Sequence, residues 1–150
     1  MIRLILKKPD KMNFVFTKPD GYKLFLGGVR AAKDWELMEE NDITGILSVF
    51  NGEPPKFQNI NIKLIYVADV VQQDIKQYFE EAFEFINSNK NVLVHCHAGR
   101  SRSAAFVIGY IMETTGADYE QAYELVNSRR FINPNAGFVE QLGGPRLYND

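Results

Sequence analysis

The sequence predicts a single α/β domain, with a central, mainly parallel five-stranded sheet flanked by helices. Three observations predict it. Five short runs read as strands and alternate with helical stretches, the pattern of a layered α/β sheet. At 150 residues the chain has one domain's length and can bury a core without disulfide or metal staples. Its 45% hydrophobic and 24% charged residues are the balance of a globular chain and not of a disordered one.

Taken in order, Phe14-Val15-Phe16 and Tyr22-Lys23-Leu24-Phe25-Leu26 flank Lys18-Pro19-Asp20-Gly21, whose Pro and Asp-Gly are turn chemistry. They read as a hairpin, with Gly27-Gly28 closing its second strand. Good helix formers fill 30–40. Ile43 to Val49 is a short apolar run stopped by Asn51-Gly52 and Pro54-Pro55, hence a buried strand. Residues 62–67 read as another. Apolar residues at 75, 78, 79, 82, 83 and 86 form one helical stripe over 74–88, and Asp74 with Gln77 resembles a capping box at its start. Residues 91–95 form the fifth strand. Residues 102–115 are apolar on almost every face, which predicts a central buried helix ended by Gly116. Asp118 with Gln121 opens a helix over 118–129, and a last one is expected over 138–148.

Composition also excludes function classes. Cys96 is the single cysteine, so no intrachain disulfide can form, and a reducing compartment, cytoplasmic or nuclear, is expected. A net charge of -2 argues against a general nucleic-acid surface, although a local basic pocket remains compatible with it. No apolar run approaches the roughly 20 residues that span a bilayer, so no stable membrane insertion is expected.

Ligands of largely parallel sheets sit beyond the carboxyl ends of the strands. The strand 91–95 runs directly into Cys96, and 62–67 runs directly toward Asp69. In Val94-His95-Cys96-His97-Ala98-Gly99-Arg100-Ser101-Arg102-Ser103 a strand, a short loop with one glycine and the start of a buried helix follow one another. Loop amides and the helix N-terminus then converge on one spot, a preformed site for phosphate or sulfate. Arg102 can add a two-pronged hydrogen bond to the anion. Cys96 sits at the mouth of the loop, where the amides and Arg102 would stabilise its thiolate, a nucleophile facing a bound electrophile.

Blander readings compete. A lone cysteine is commonly a small buried hydrophobe. Zinc would need more ligands than His95, Cys96 and His97, the chain's only His and Cys, which alternate in direction along a strand. A Walker loop would need a second glycine and a lysine, and a Cys-His protease would need a distant histidine. No cofactor is called for.

His95-Cys96, five residues, then Arg102-Ser103 resembles the His-Cys-x5-Arg-Ser/Thr signature of cysteine-dependent protein phosphatases. The form His-Cys-x-x-Gly-x-Ser-Arg-Ser resembles the dual-specificity branch. Leu24 to Gly28, Ile43 to Val49, Tyr78 to Ala82, and Asn133-Pro134-Asn135-Ala136-Gly137-Phe138 with Gln141-Leu142 extend the resemblance along most of the chain. It implies one catalytic domain over 1–150, of the small, atypical kind, and a mixed, mainly parallel sheet with helices on both sides.

It also implies roles. Cys96 attacks phosphorus and forms a phosphocysteine. The loop His97, Ala98, Gly99, Arg100, Ser101 and the Arg102 guanidinium bind the phosphoryl oxygens. Ser103 donates to the sulfur as it leaves, and His95 positions the loop from behind. Of two candidate acids, Asp69 matches the family's position on the loop before the Tyr-Phe helix, whereas Asp74 suits a helix cap. Asn135 would tie down the phosphate loop, and no catalytic role falls to Gln141. Arg100 is either a solvated rim residue or, with His97, part of a more basic loop suited to phosphoinositides. The implied partner is a phosphorylated protein, phosphotyrosine and then phosphoserine or phosphothreonine. A phosphoinositide or phospholipid substrate and a non-catalytic phospho-binding module are the alternatives.

Overall fold

The computed structural model describes residues 10–147. Strands β1 (Met12–Thr17), β2 (Lys23–Gly27), β3 (Ile43–Val49), β4 (Asn61–Ile65) and β5 (Asn91–His95) form one sheet in the order β1-β2-β5-β3-β4. β5 lies at the centre, parallel to both β2 and β3, and β4 is parallel to β3. Only β1 runs antiparallel, joined to β2 through the predicted turn, where the Gly21 N–H donates to the Lys18 carbonyl at 2.9 Å. The predicted five-stranded, mainly parallel sheet is the observed one.

Strand alternation sorts side chains into two unequal layers. Leu24, Leu26, Leu47, Val49, Val92 and Val94 face the larger core, under helices α3 (Phe79–Ser88), α4 (Arg102–Thr115), α5 (Tyr119–Asn127) and α6 (Ala136–Gln141). Phe25, Ile46 and Leu93 face a smaller one under α1 (Val29–Ala32) and α2 (Trp35–Glu40). α4 is buried continuously from Ser103 to Ile111 and ends at Gly116 with φ 79°, as its all-round apolar sequence predicts.

Four element boundaries depart from expectation. The helix over 30–40 is two helices, because Asp34 caps a new one by accepting the Leu37 N–H at 3.1 Å. The helix expected from Asp74 begins as a 3₁₀ turn at Lys76–Tyr78 and becomes α-helical only at Phe79. Asp74 Oδ1 takes the Lys76 N–H at 3.0 Å instead of one three residues on. The strand over 62–67 leaves the ladder after Ile65. The last helix covers Ala136–Gln141 and not 138–148, since Asn135 caps it early; Tyr148 lies outside the described residues. By contrast, Asp118 and Gln121 do form a reciprocal capping box at the start of α5. No helix of the described residues is long and apolar enough to cross a membrane.

Candidate active site

The carboxyl end of the central strand β5 opens into the loop 96–101, which turns into α4. Cys96 is 2% exposed, at the base of this loop. The Gly99 N–H donates to Cys96 Sγ at 3.2 Å, and Ser103 Oγ lies 3.1 Å from the same sulfur. Both contacts suit a sulfur that carries negative charge.

The loop curls tightly because Gly99 adopts φ +71° and has no Cβ. A Cβ there would lie 2.4 Å from the Gly27 carbonyl carbon and oxygen. The end of β2 therefore presses directly against the loop, and the Val29 N–H donates to the His97 carbonyl at 2.9 Å. From the other side Arg130 acts as a strut. Its Nε donates to the Gly99 carbonyl at 2.9 Å, its Nη2 to the Ala98 carbonyl at 3.1 Å, and its Nη1 to the Asp10 carbonyl and Asn13 Oδ1. The amides of Ala98, Arg100 and Ser101 find no acceptor among the described residues, and these residues line the pocket.

His95 supports the loop from beneath. Its Nδ1 lies 3.0 Å from the Cys96 carbonyl and its Nε2 lies 2.6 Å from Ser48 Oγ. A carbonyl only accepts, so Nδ1 carries the proton and Ser48 donates to Nε2. Complete burial pushes the imidazole pKa down to about 4, which leaves it neutral at physiological pH. Because the folded value lies below the unfolded one, this burial adds stability that is full above about pH 6.5. It is lost as pH falls toward 4. Urea titrations at pH 7 and pH 4.5 should therefore show a fall of order 3 kcal/mol at most from this group. His95→Asn should flatten that part of the profile.

Arg102 opens α4. Its Nη1 donates to Asn51 Oδ1 at 3.0 Å and to the Val67 carbonyl at 3.1 Å, while its Nε is buried with no partner among the described residues. A buried guanidinium N–H without an acceptor is costly unless a ligand completes it.

Asp69 follows the end of β4 and joins Cys96, His97, Arg100, Arg102 and Phe131 around a cavity of about 290 Å³. Its Oδ1 accepts from Ser101 Oγ at 2.7 Å and from Asn135 Nδ2 at 2.9 Å. Ser101 therefore orients Asp69 and leaves its own helix without a side-chain cap. Asn135 donates its N–H to Ser101 Oγ at 3.0 Å, so it holds the loop and Asp69 together. Asp74 is absent from this cavity. Gln141 also has a place: its Oε1 accepts from the Ile75 N–H at 2.8 Å and its Nε2 donates to the Gln73 carbonyl, which pins the segment after Asp69.

Arg100 and His97 are exposed on the rim, Arg100 with its guanidinium carbon 5.6 Å from the Phe131 ring centre. The roles of Arg130, Asn51 and Gln141 lie in contacts over long sequence separations and left no local signal. Ser101 did stand in the loop, but nothing in the pattern pointed it at Asp69. Among the described residues no group of three or more His, Cys, Asp or Glu could hold a metal ion.

The profile described as "Dual specificity phosphatase, catalytic domain" matches residues 24–144. The chain belongs to the dual specificity phosphatase family. Dual specificity protein phosphatase 19 of Mus musculus is 44% identical over 125 residues, covering 79% of this chain and 57% of that protein. Dual specificity protein phosphatase 15 of Mus musculus is 40% identical over 124 residues, covering 79% and 53%. Dual specificity protein phosphatase MPK-4 of Drosophila melanogaster is 42% identical over 128 residues, covering 79% and 33%. The chain thus spans a third to somewhat over half of the length of these relatives.

Among solved structures, the DUSP15 crystal structure gives a TM-score of 0.81 at 36% identity, over 87% of this chain and 84% of that one. The human tyrosine phosphatase-like serine/threonine/tyrosine-interacting protein gives 0.79 at 39%, over 88% and 93%. The structure of PTPMT1 in complex with PI(5)P, at 17% identity and TM-score 0.72 over 89% and 92%, shares the fold with this dual specificity phosphatase domain.

Proposed function

We propose that this domain hydrolyses phosphate monoesters of tyrosine, and of serine or threonine, in proteins through a phosphocysteine intermediate. The observation that carries the reading is the convergence on one pocket of Cys96, the free loop amides and the unpartnered Arg102 Nε. A phosphoryl group is the ligand that completes all three.

In the first step Cys96 Sγ attacks phosphorus as the ester P–O bond breaks. The amides of 97–102 and the Arg102 guanidinium hold the non-bridging oxygens. Asp69 gives its proton to the departing alkoxide or phenoxide. Oδ1 is occupied by Ser101 and Asn135, so Oδ2 carries that proton. In the second step Asp69 takes a proton from water, the water oxygen attacks phosphorus, and the thiolate leaves with a hydrogen bond from Ser103. Neutral His95 positions the Cys96 carbonyl and moves no proton. A silent phospho-binding module would have no use for this full set of Cys96, Arg102 and Asp69. The single cysteine suits work in the reducing cytoplasm or nucleus.

Turnover of a small aryl phosphate tests the reading. Activity should survive strong chelators, because amides and Arg102 do the charge work, and vanadate should inhibit competitively. Recovery of lost activity by added Mg²⁺ or Zn²⁺ after chelation would contradict it.

A further inference from the structure

At the end of the sheet away from Cys96, α2 and the residues that lead into β3 and β4 enclose a cavity of about 230 Å³. Met38, Ile43 and Ile60, all buried, give it an apolar lining, and Trp35, the single tryptophan of the chain, lines it while 43% exposed. Trp35 is held in place. Asp34 caps its helix, and its ring centre lies 5.4 Å from that of Phe57. The volume is below the roughly 300–1,000 Å³ of small-molecule sites, so the cavity suits one long side chain and not a cofactor. The charged part of the lining is acidic: Glu39 and Asp42 contribute to it, and no lysine or arginine does. Neither carboxylate has an ion pair among the described residues. From Asp34 to Asp42 the chain carries five acidic residues and no basic one, and Lys11 on Asp34 is the one ion pair they make among the described residues.

We propose that this cavity docks an arginine side chain, flanked by apolar residues, from a partner protein. An uncovered tryptophan beside an apolar pocket has the form of a docking hot spot, and the unpaired carboxylates fix the sign of what covers it. A guanidinium stacks on an indole face and donates to carboxylates, while its methylene stem packs on an apolar lining. Docking here leaves the catalytic pocket open. Asp42 to Thr44 and Asn59 to Ile60 lie where β3 and β4 begin, and the catalytic pocket lies past the far ends of these strands, roughly 20 Å on. The site therefore tethers a partner and takes no part in hydrolysis.

Because Trp35 is the single tryptophan, its emission reports occupancy directly. Two short unphosphorylated peptides without aromatic residues serve as probes, one with an arginine between leucines and one with methionine in its place. The arginine peptide should give a saturable blue shift on the full chain, and the methionine peptide should bind about tenfold more weakly. The difference should shrink in high salt. The double variant Glu39→Gln, Asp42→Asn should lose this preference while keeping its thermal midpoint. Glu36→Gln with Glu40→Gln removes the same charge from residues outside the lining and should keep most of it. No saturable shift, equal binding of both peptides, or a preference that survives the Glu39→Gln, Asp42→Asn change overturns the proposal. A blue shift that grows with protein concentration alone would make the occupant a second copy of the chain and overturn the partner assignment. The same holds for a peptide-free red shift on changing Arg3, Lys7 and Lys8 to alanine, which would make the occupant the chain's own first residues. None of these readouts needs turnover, so failure of aryl phosphate hydrolysis would count against the phosphatase reading alone.

Discussion

Cys96→Ser should reduce steady-state hydrolysis of any phosphate monoester to background, a loss of about 10⁴-fold or more. A serine hydroxyl does not ionise as a thiol does. The Gly99 N–H and the Ser103 hydroxyl that contact the sulfur then have no comparable nucleophile beside them. The cradle itself remains. Gly99 keeps its turn against Gly27, and Arg130 keeps its hold on the loop carbonyls. Phosphopeptide affinity and thermal midpoint should therefore stay close to wild type. Mass spectrometry of acid-quenched wild-type protein should find a phosphoryl group on Cys96, and the variant should show none. Sustained turnover by a clean Cys96→Ser preparation would rule out covalent catalysis.

Asp69→Ala should slow esters with poor, alkyl-like leaving groups by about 10²–10⁴-fold, and good aryl leaving groups far less. A phenolate that is already stable needs little protonation, so the slope of log kcat against leaving-group basicity should steepen. Asp74→Ala is the companion measurement. Asp74 bonds the Lys76 N–H at the 3₁₀ turn and lies outside the catalytic cavity. Its loss should cost about 1 kcal/mol of stability and leave the leaving-group slope alone. The reverse pattern would transfer the acid role to Asp74.

The parts of the fold that were legible in the sequence are those whose causes are local. Alternation along Leu24-Phe25-Leu26 and Val92-Leu93-Val94 marks strands whose two faces meet two different cores, and the uninterrupted apolar run after Arg102 marks a helix surrounded by protein. The loop from Cys96 to Arg102, proposed to hold the phosphoryl group, was legible because its groups are contiguous in the chain. Two similar signals at Asp74–Gln77 and Asp118–Gln121 had different outcomes. Asp74 Oδ1 takes the Lys76 N–H, two residues on, and a 3₁₀ turn follows, while Gln141 takes the Ile75 N–H from 66 residues away. At Asp118 the side chain takes the Gln121 N–H, three residues on, and the capping box forms. Asn51, Arg130 and Gln141 reach the site across the fold, and their sequence neighbours give no sign of it. The split at Asp34 was not foreseen, because the helix formers on both sides of it suggested continuity.

The Arg130 strut has a consequence for how the pocket meets its ligand. Because the backs of Ala98 and Gly99 are fastened to β1 through one side chain, the loop takes the curve proposed to hold the anion as the chain folds. Ordering entropy is lost at that earlier stage and not when an anion arrives. Even a free inorganic oxyanion, with no organic part to contribute contacts, then meets a receptor already shaped for it. Arg130→Met would keep much of the side chain's bulk and remove the fastening. The variant's loop would become a flexible tether that each ligand must first organise, so small anions would suffer more than large peptides, which have other contacts to draw on.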